Sequence, residues 1–112
     1  MNSAITITRS EEGSKGRYAA TVEGRDGGGE LTYSRMSAEK LIADHTGVDD
    51  SLRGTGVGVA LVERLIADAR SEGFTIVPLC PFVAAQFRKH PEWSDVLASW
   101  QSQSGSGTPT TG

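Results

Sequence analysis

The 112-residue chain has a single cysteine, Cys80. One thiol excludes an internal disulfide framework and a multi-cysteine metal site. Long apolar runs are missing too: no stretch approaches the length that spans a bilayer, and the opening "MNSAITITRS" lacks the apolar centre of a secretory signal. A soluble, cytoplasmic protein is expected. Positive charge is scarce, with 11 Lys and Arg against 14 Asp and Glu and a net charge of −3. No overall basic field therefore draws the chain to nucleic acid, and the acidic balance suits a cationic partner better. No internal repeat is visible. The length suits one domain, expected over residues 1–100, and "QSQSGSGTPTTG" (101–112) contains no apolar residue. That composition predicts a disordered tail.

What is present has a clear order. "AITITR" (4–9), "RYAATVEG" (17–24) and "ELTYSRMS" (30–37) alternate apolar and polar residues, the period of half-buried strands. Tyr18, Ala20 and Val22 fall on one face, as do Leu31, Tyr33 and Arg35, with Met36 on the other. "AEKLIADHTGV" (38–48) predicts a fourth, more central strand. "EEGSKG" and "RDGGG" read as turns, and connections this short imply an antiparallel meander. From Gly56 to Glu72 the period changes: Val57, Ala60, Leu61, Leu65 and Ala69, with Val62 and Ile66 beside them, form a helical stripe that Gly73 ends. "FTIVPLC" (74–80) predicts a short buried strand, bulged or splayed at Pro78 because proline cannot donate to a ladder. Pro81 suits the first position of a helix over 81–90, Pro91 stops it, and 92–100 predicts a last short helix. The order is β-β-β-β-α-β-α-α, an α+β fold with a mixed, mainly antiparallel sheet.

Between the fourth strand and the long helix lies "SLRGTGVG" (51–58), with three glycines and one arginine. A glycine cluster usually answers a geometric demand, because ordering glycine costs more chain entropy than ordering any other residue. Here the loop opens a helix, whose first amides lack intrahelical partners and whose dipole adds partial positive charge. Glycines at 54, 56 and 58 leave room for an anion, and Arg53 can add a charge-assisted contact. Phosphate or pyrophosphate is the natural ligand of such a cradle. A glycine-rich connection that binds nothing stands as the alternative. A P-loop is excluded, since no lysine follows until Lys89. A dinucleotide fingerprint fails as well, because Val59 and Leu61 occupy the positions that its last glycine would take.

The stretch Arg53-Gly54-Thr55-Gly56-Val57-Gly58 resembles the R/Q-x-x-G-x-G/A pyrophosphate signature of the GNAT superfamily of acyl-CoA-dependent N-acyltransferases. Its place after the fourth strand matches too, and "CPFVAAQFRKHPEW" is similar to the short, single-domain bacterial branch of that superfamily. The resemblance covers roughly residues 4–98. It implies a truncated GNAT-like fold with strands 4 and 5 splayed. It further implies that amides from Leu52 to Gly58 hold the pyrophosphate of acetyl-CoA, with the pantetheine arm between those strands. Two departures accompany it. The pair of helices that full-size relatives carry between their first two strands is missing, which leaves the acceptor site open, and the fold is shortened after the fifth strand.

Amine acylation needs a placed thioester, a donor for the oxyanion and a route for the amine's proton. The donor is expected to be a backbone amide near Thr46 or Val48. A proton acceptor working near neutrality favours histidine, and His45, on the fourth strand, is the candidate general base; a hydrogen-bonded strand histidine is the plainer alternative. His90, at a helix end before Pro91, reads as a cap. Asp44, Asp49 and Asp50 read as turn and helix-start chemistry. Cys80 ends the fifth strand where a helix begins, a position that favours a thiolate, so it is a candidate acyl carrier; the alternative is a small apolar filler. The expected function is an acetyl-CoA-dependent N-acetyltransferase acting on a primary amine of a protein or polyamine, without a metal. The alternatives are a non-catalytic acyl-CoA-binding or sensing module on the same fold, and a small interaction domain.

Overall fold

The computed structural model describes residues 4–98. Five strands form one sheet in the order β1-β2-β3-β4-β5: β1 Ile5–Glu12, β2 Lys15–Val22, β3 Gly29–Ser37, β4 Lys40–Val48 and β5 Thr75–Pro78. β1 to β4 are antiparallel neighbours, and β5 joins β4 in parallel. The long helix α1 (Val57–Glu72) connects β4 to β5, and α2 (Pro81–Lys89) follows β5. The α+β reading with a mixed sheet is borne out. β1 turns directly into β2 through Gly13 and Ser14, so no helix stands between the first two strands.

The alternation read from the sequence sets the inner face. Tyr18, Ala20, Val22, Leu31, Tyr33, Leu41 and Ala43 point inward, where they meet Leu61, Val62, Leu65 and Ile66 of α1 and Val83 and Phe87 of α2 in one core. Met36 is exposed on the far side. α1 begins at Val57 with Gly56 as its cap, and Gly73 closes it with a left-handed φ of 79° and an amide donated to Ala69. Ala60, expected in the buried stripe, is only half-buried.

The C-terminal end differs from expectation. β5 is four residues long rather than the seven of 74–80. Where a helix over 92–100 is expected, Pro91–Val96 forms a 3₁₀ helix, after which Leu97 bridges Ile76 in parallel; residues 99 and 100 lie outside the described residues. The reason is packing: Trp93 stacks on His90 at 4.0 Å and meets Phe87 edge-on at 6.0 Å. Those contacts hold the segment against the end of α2 in the tighter 3₁₀ form. The tail 101–112 lies outside the described residues. Among the described residues, no helix is long and apolar enough to cross a membrane.

A polar network fastens β1 to the end of α1. Tyr18 donates to Asp68 at 2.7 Å and Tyr33 to Glu11 at 2.6 Å, while Arg9 pairs with Glu11, Asp68 and Glu72. The Tyr33 hydroxyl first, then Arg35 and Arg9, hold the Glu11 carboxyl down at about 2. A carboxyl depressed in the folded state adds stability above its ordinary value, and that stability is lost as pH falls towards 2. Partial exposure limits the contribution to roughly 1 kcal/mol. Melting temperature measured between pH 5 and pH 2, the window between the ordinary carboxyl range and the depressed value, is therefore expected to fall less steeply in Glu11→Gln than in the wild type. Equal slopes would show that Glu11 carries no pH-linked stability.

Candidate functional site

The chain leaves β4 through Asp49 and a 3₁₀ turn at Asp50–Leu52. Leu52 is buried in the core and anchors the turn. Amides of Leu52, Arg53 and Thr55 donate to Asp49, Asp50 and Leu52 at 2.9, 3.1 and 3.1 Å. These internal bonds hold the loop, so those three amides are already engaged. α1 then starts with Ala60 donating to Gly56 at 2.9 Å. The amides of Val57, Gly58 and Val59 precede that bond and sit at the helix mouth, where no helical carbonyl can reach them.

Each glycine has its own reason. Gly54 and Gly56 adopt φ of 82° and 84°, a left-handed conformation in which other L-residues are strained. A Cβ at either would meet nothing within 4 Å, so both leave an open face beside the helix mouth. Gly58 is different: a Cβ there would lie 3.0 Å from the Cζ of Phe82. Phe82, at the start of α2, was not singled out in the sequence. Nothing local marks an aromatic that reaches back to a loop more than twenty residues earlier. Arg53 is directed elsewhere, with its Nε on the Asp50 carboxylate at 2.9 Å on the surface. The glycine loop, Thr46, Val48 and Phe82 line a cleft of about 530 Å³.

That cleft opens where β4 and β5 part. The strands pair from Lys40 with Thr75 to Ala43 with Pro78, and Cys80 adds a last rung by donating its amide to the Ala43 carbonyl at 2.9 Å. Pro78 is thus inside the paired stretch, and the splay begins only beyond it, because β5 ends and α2 turns away. β4 continues for five more residues without a partner on that side. A bulge sets how they face: Thr32 lies opposite His45 but Tyr33 lies opposite Ala43, which makes Asp44 the extra residue. The Asp49 amide donates to the Gly28 carbonyl at the start of β3. By the alternation of an antiparallel ladder, Thr46 and Val48 then turn their backbone N–H groups into the gap.

The same bulge separates the two candidate catalytic side chains. Thr46 faces the helices opposite Leu31, and the Cys80 thiol lies 3.4 Å from its hydroxyl. His45 points to the other face of the sheet, where it is exposed. The structure brings Cys80 to Thr46 at the fork and puts His45 across the strand from both. His90 caps α2, its Nδ1 2.8 Å from Glu92. The three aspartates serve local structure: Asp44 accepts from Ser34, Asp49 from the Gly28 amide, and Asp50 from Arg53. Among the described residues, no three His, Cys, Asp or Glu side chains are grouped to hold a metal ion.

Comparison with known proteins bears directly on this geometry. The family described as GCN5-related N-acetyl-transferase matches residues 17–96, a span that includes the loop, the fork and both helices. The chain is also similar to the NMR solution structure of a GCN5-like protein from Staphylococcus aureus provisionally assigned as an N-acetyltransferase. The TM-score is 0.58 at 25% identity, over 85% of this chain and 91% of that one. No curated protein matches it. A glycine loop opening a helix beside parted strands, together with a family match over most of its length, shows that the chain belongs to the GCN5-related N-acetyl-transferase family.

Proposed function

We propose that this protein binds acetyl-CoA in the cleft at the mouth of α1 and transfers the acetyl group to a primary amine. The observation that carries this reading is the junction of two features on one strand end. The unpartnered amides of Val57 and Gly58 flank the bare faces of Gly54 and Gly56, and the β4–β5 fork opens into the same cleft. The first suits a pyrophosphate; the second suits a narrow thioester arm. Thr55 completes the loop, and Arg53 exchanges Asp50 for the nucleotide phosphates.

The chemistry follows from the strand. The Thr46 and Val48 amides donate to the thioester oxygen as it gains charge. His45 takes a proton from the incoming ammonium, which frees the nitrogen lone pair. Nitrogen attacks the carbonyl carbon, the C–N bond forms and the C–S bond breaks. The departing thiolate takes the second proton from nitrogen, leaving an amide, a free thiol and one proton on His45 for solvent.

Cys80 borders the acyl position and packs against Thr46 without forming a covalent intermediate. Incubation with acetyl-CoA in the absence of amine, followed by intact-mass measurement, is expected to show unmodified protein. Cys80→Ala is expected to keep turnover within about threefold. An acetyl adduct on Cys80 that added amine removes would instead establish a two-step route.

The two-residue β1–β2 turn favours a second reading, an acyl-CoA-binding module without turnover, because no helix there builds an acceptor wall. Calorimetry with acetyl-CoA combined with turnover on an amine panel decides between them. Binding with turnover supports the enzyme, binding alone supports the module, and neither would defeat both.

A further inference from the structure

The sheet face opposite α1 and α2 carries a second cleft, of about 540 Å³, lined by Arg17, Ala19, Thr21, Glu30, Gly47 and Asp49 among others. It shares Val48 with the loop cleft, so the two lie on either side of the end of β4. Strand register builds its floor. Glu30 stands opposite Ala19 on β2 and opposite Gly47 on β4. It is therefore flanked by two residues with little or no side chain, at the roughly 5 Å spacing of paired strand positions. His45 leans over the same spot: a Cβ at Gly47 would lie 3.2 Å from its Nε2. The bare Gly47 leaves the imidazole room to lie along the strand. The carboxylate thus lies in the open trough, and the candidate base stands at its edge over Gly47, the residue that Glu30 faces.

We infer that Glu30 is the residue that holds the acceptor, taking a primary alkylammonium group in this cleft and presenting its nitrogen to His45. This rests on the acyl-transfer reading above and adds to it the residue that selects the amine. Arg17 donates to Glu30 Oε1 at 2.7 Å, but a carboxylate has acceptor sites to spare for a second cation. That pair is about half in water, so it contributes little to folding and yields readily to an incoming charge. Asp49 lines the same cleft, which leaves two carboxylates against one guanidinium and a net negative trough. Thr21 and Ala19 are small enough to admit an alkyl chain from the open side.

The test is steady-state kinetics with two sources of the same group, spermidine and a lysine-containing peptide, on the wild type, Glu30→Gln and Arg17→Gln. Glu30→Gln is expected to raise KM about tenfold for both acceptors, with kcat within threefold, acetyl-CoA affinity unchanged and melting temperature unmoved. Arg17→Gln is expected to lower KM, since it frees the carboxylate. Opposite directions cannot come from loss of a structural ion pair, which would move both variants alike. A KM within twofold of wild type in Glu30→Gln overturns the inference and leaves the acyl-transfer reading standing. An effect on the peptide alone overturns it too, because the cleft would then read peptide backbone rather than ammonium. Wild-type protein that binds acetyl-CoA but acetylates no amine overturns the acyl-transfer reading and the inference with it.

Discussion

His45→Ala is expected to lower turnover by about 10²–10⁴ while the affinity for acetyl-CoA barely changes. The separation of these two effects follows from the β4 bulge. Because Asp44 is the extra residue, His45 faces the open side of the sheet whereas Thr46 faces the helices. The side chain is exposed and contributes nothing to the core, so its removal should leave melting temperature close to wild type. The pH–rate profile should lose its acidic limb, which in the wild type reports protonation of the base. Added imidazole should restore part of the rate, since the trough over Gly47 is open to solvent. An unchanged profile in His45→Ala would make this histidine a surface residue and move proton removal to water.

Gly56→Glu is expected to weaken acetyl-CoA binding on the order of a hundredfold, about 3 kcal/mol by the Coulomb scale for like charges near a protein surface. Gly56 has φ of 84°, so any side chain there also costs backbone strain of roughly 1–3 kcal/mol. Gly56→Ala is the proper partner variant. It carries the same strain without the charge, and no atom lies within 4 Å of its added Cβ. Calorimetry should therefore show a modest loss for alanine and near-abolition for glutamate, with similar melting temperatures for the two. Equal affinities in both variants would remove the phosphates from this loop. Gly58 is the weaker place for the same experiment, because a Cβ there strikes Phe82 first and a loss of binding would mix charge with repacking.

The sequence by itself determined the elements up to α2 and most of the inward faces, because those depend on local periodicity. Period two in "RYAATV" and "ELTYSR" puts Tyr18 and Tyr33 inside, and the 3.6-residue stripe from Val57 to Ala69 covers them. The glycine loop was legible for the same reason: positive φ at residues 54 and 56 is a demand that only the local residue type can meet. Tertiary structure decided everything that depends on pairing across the chain. The bulge between Thr32 and Tyr33 shifts β4 by one residue, and a one-residue shift reverses which face a side chain takes. That shift alone parts His45 from Cys80 and puts it on the sheet face that carries Glu30. Phe82 over Gly58 and the opening of the fork only beyond Pro78 are likewise set by contacts between separated segments. No local pattern records them, because each exists only once the sheet has chosen its register and the helices have closed on one of its faces.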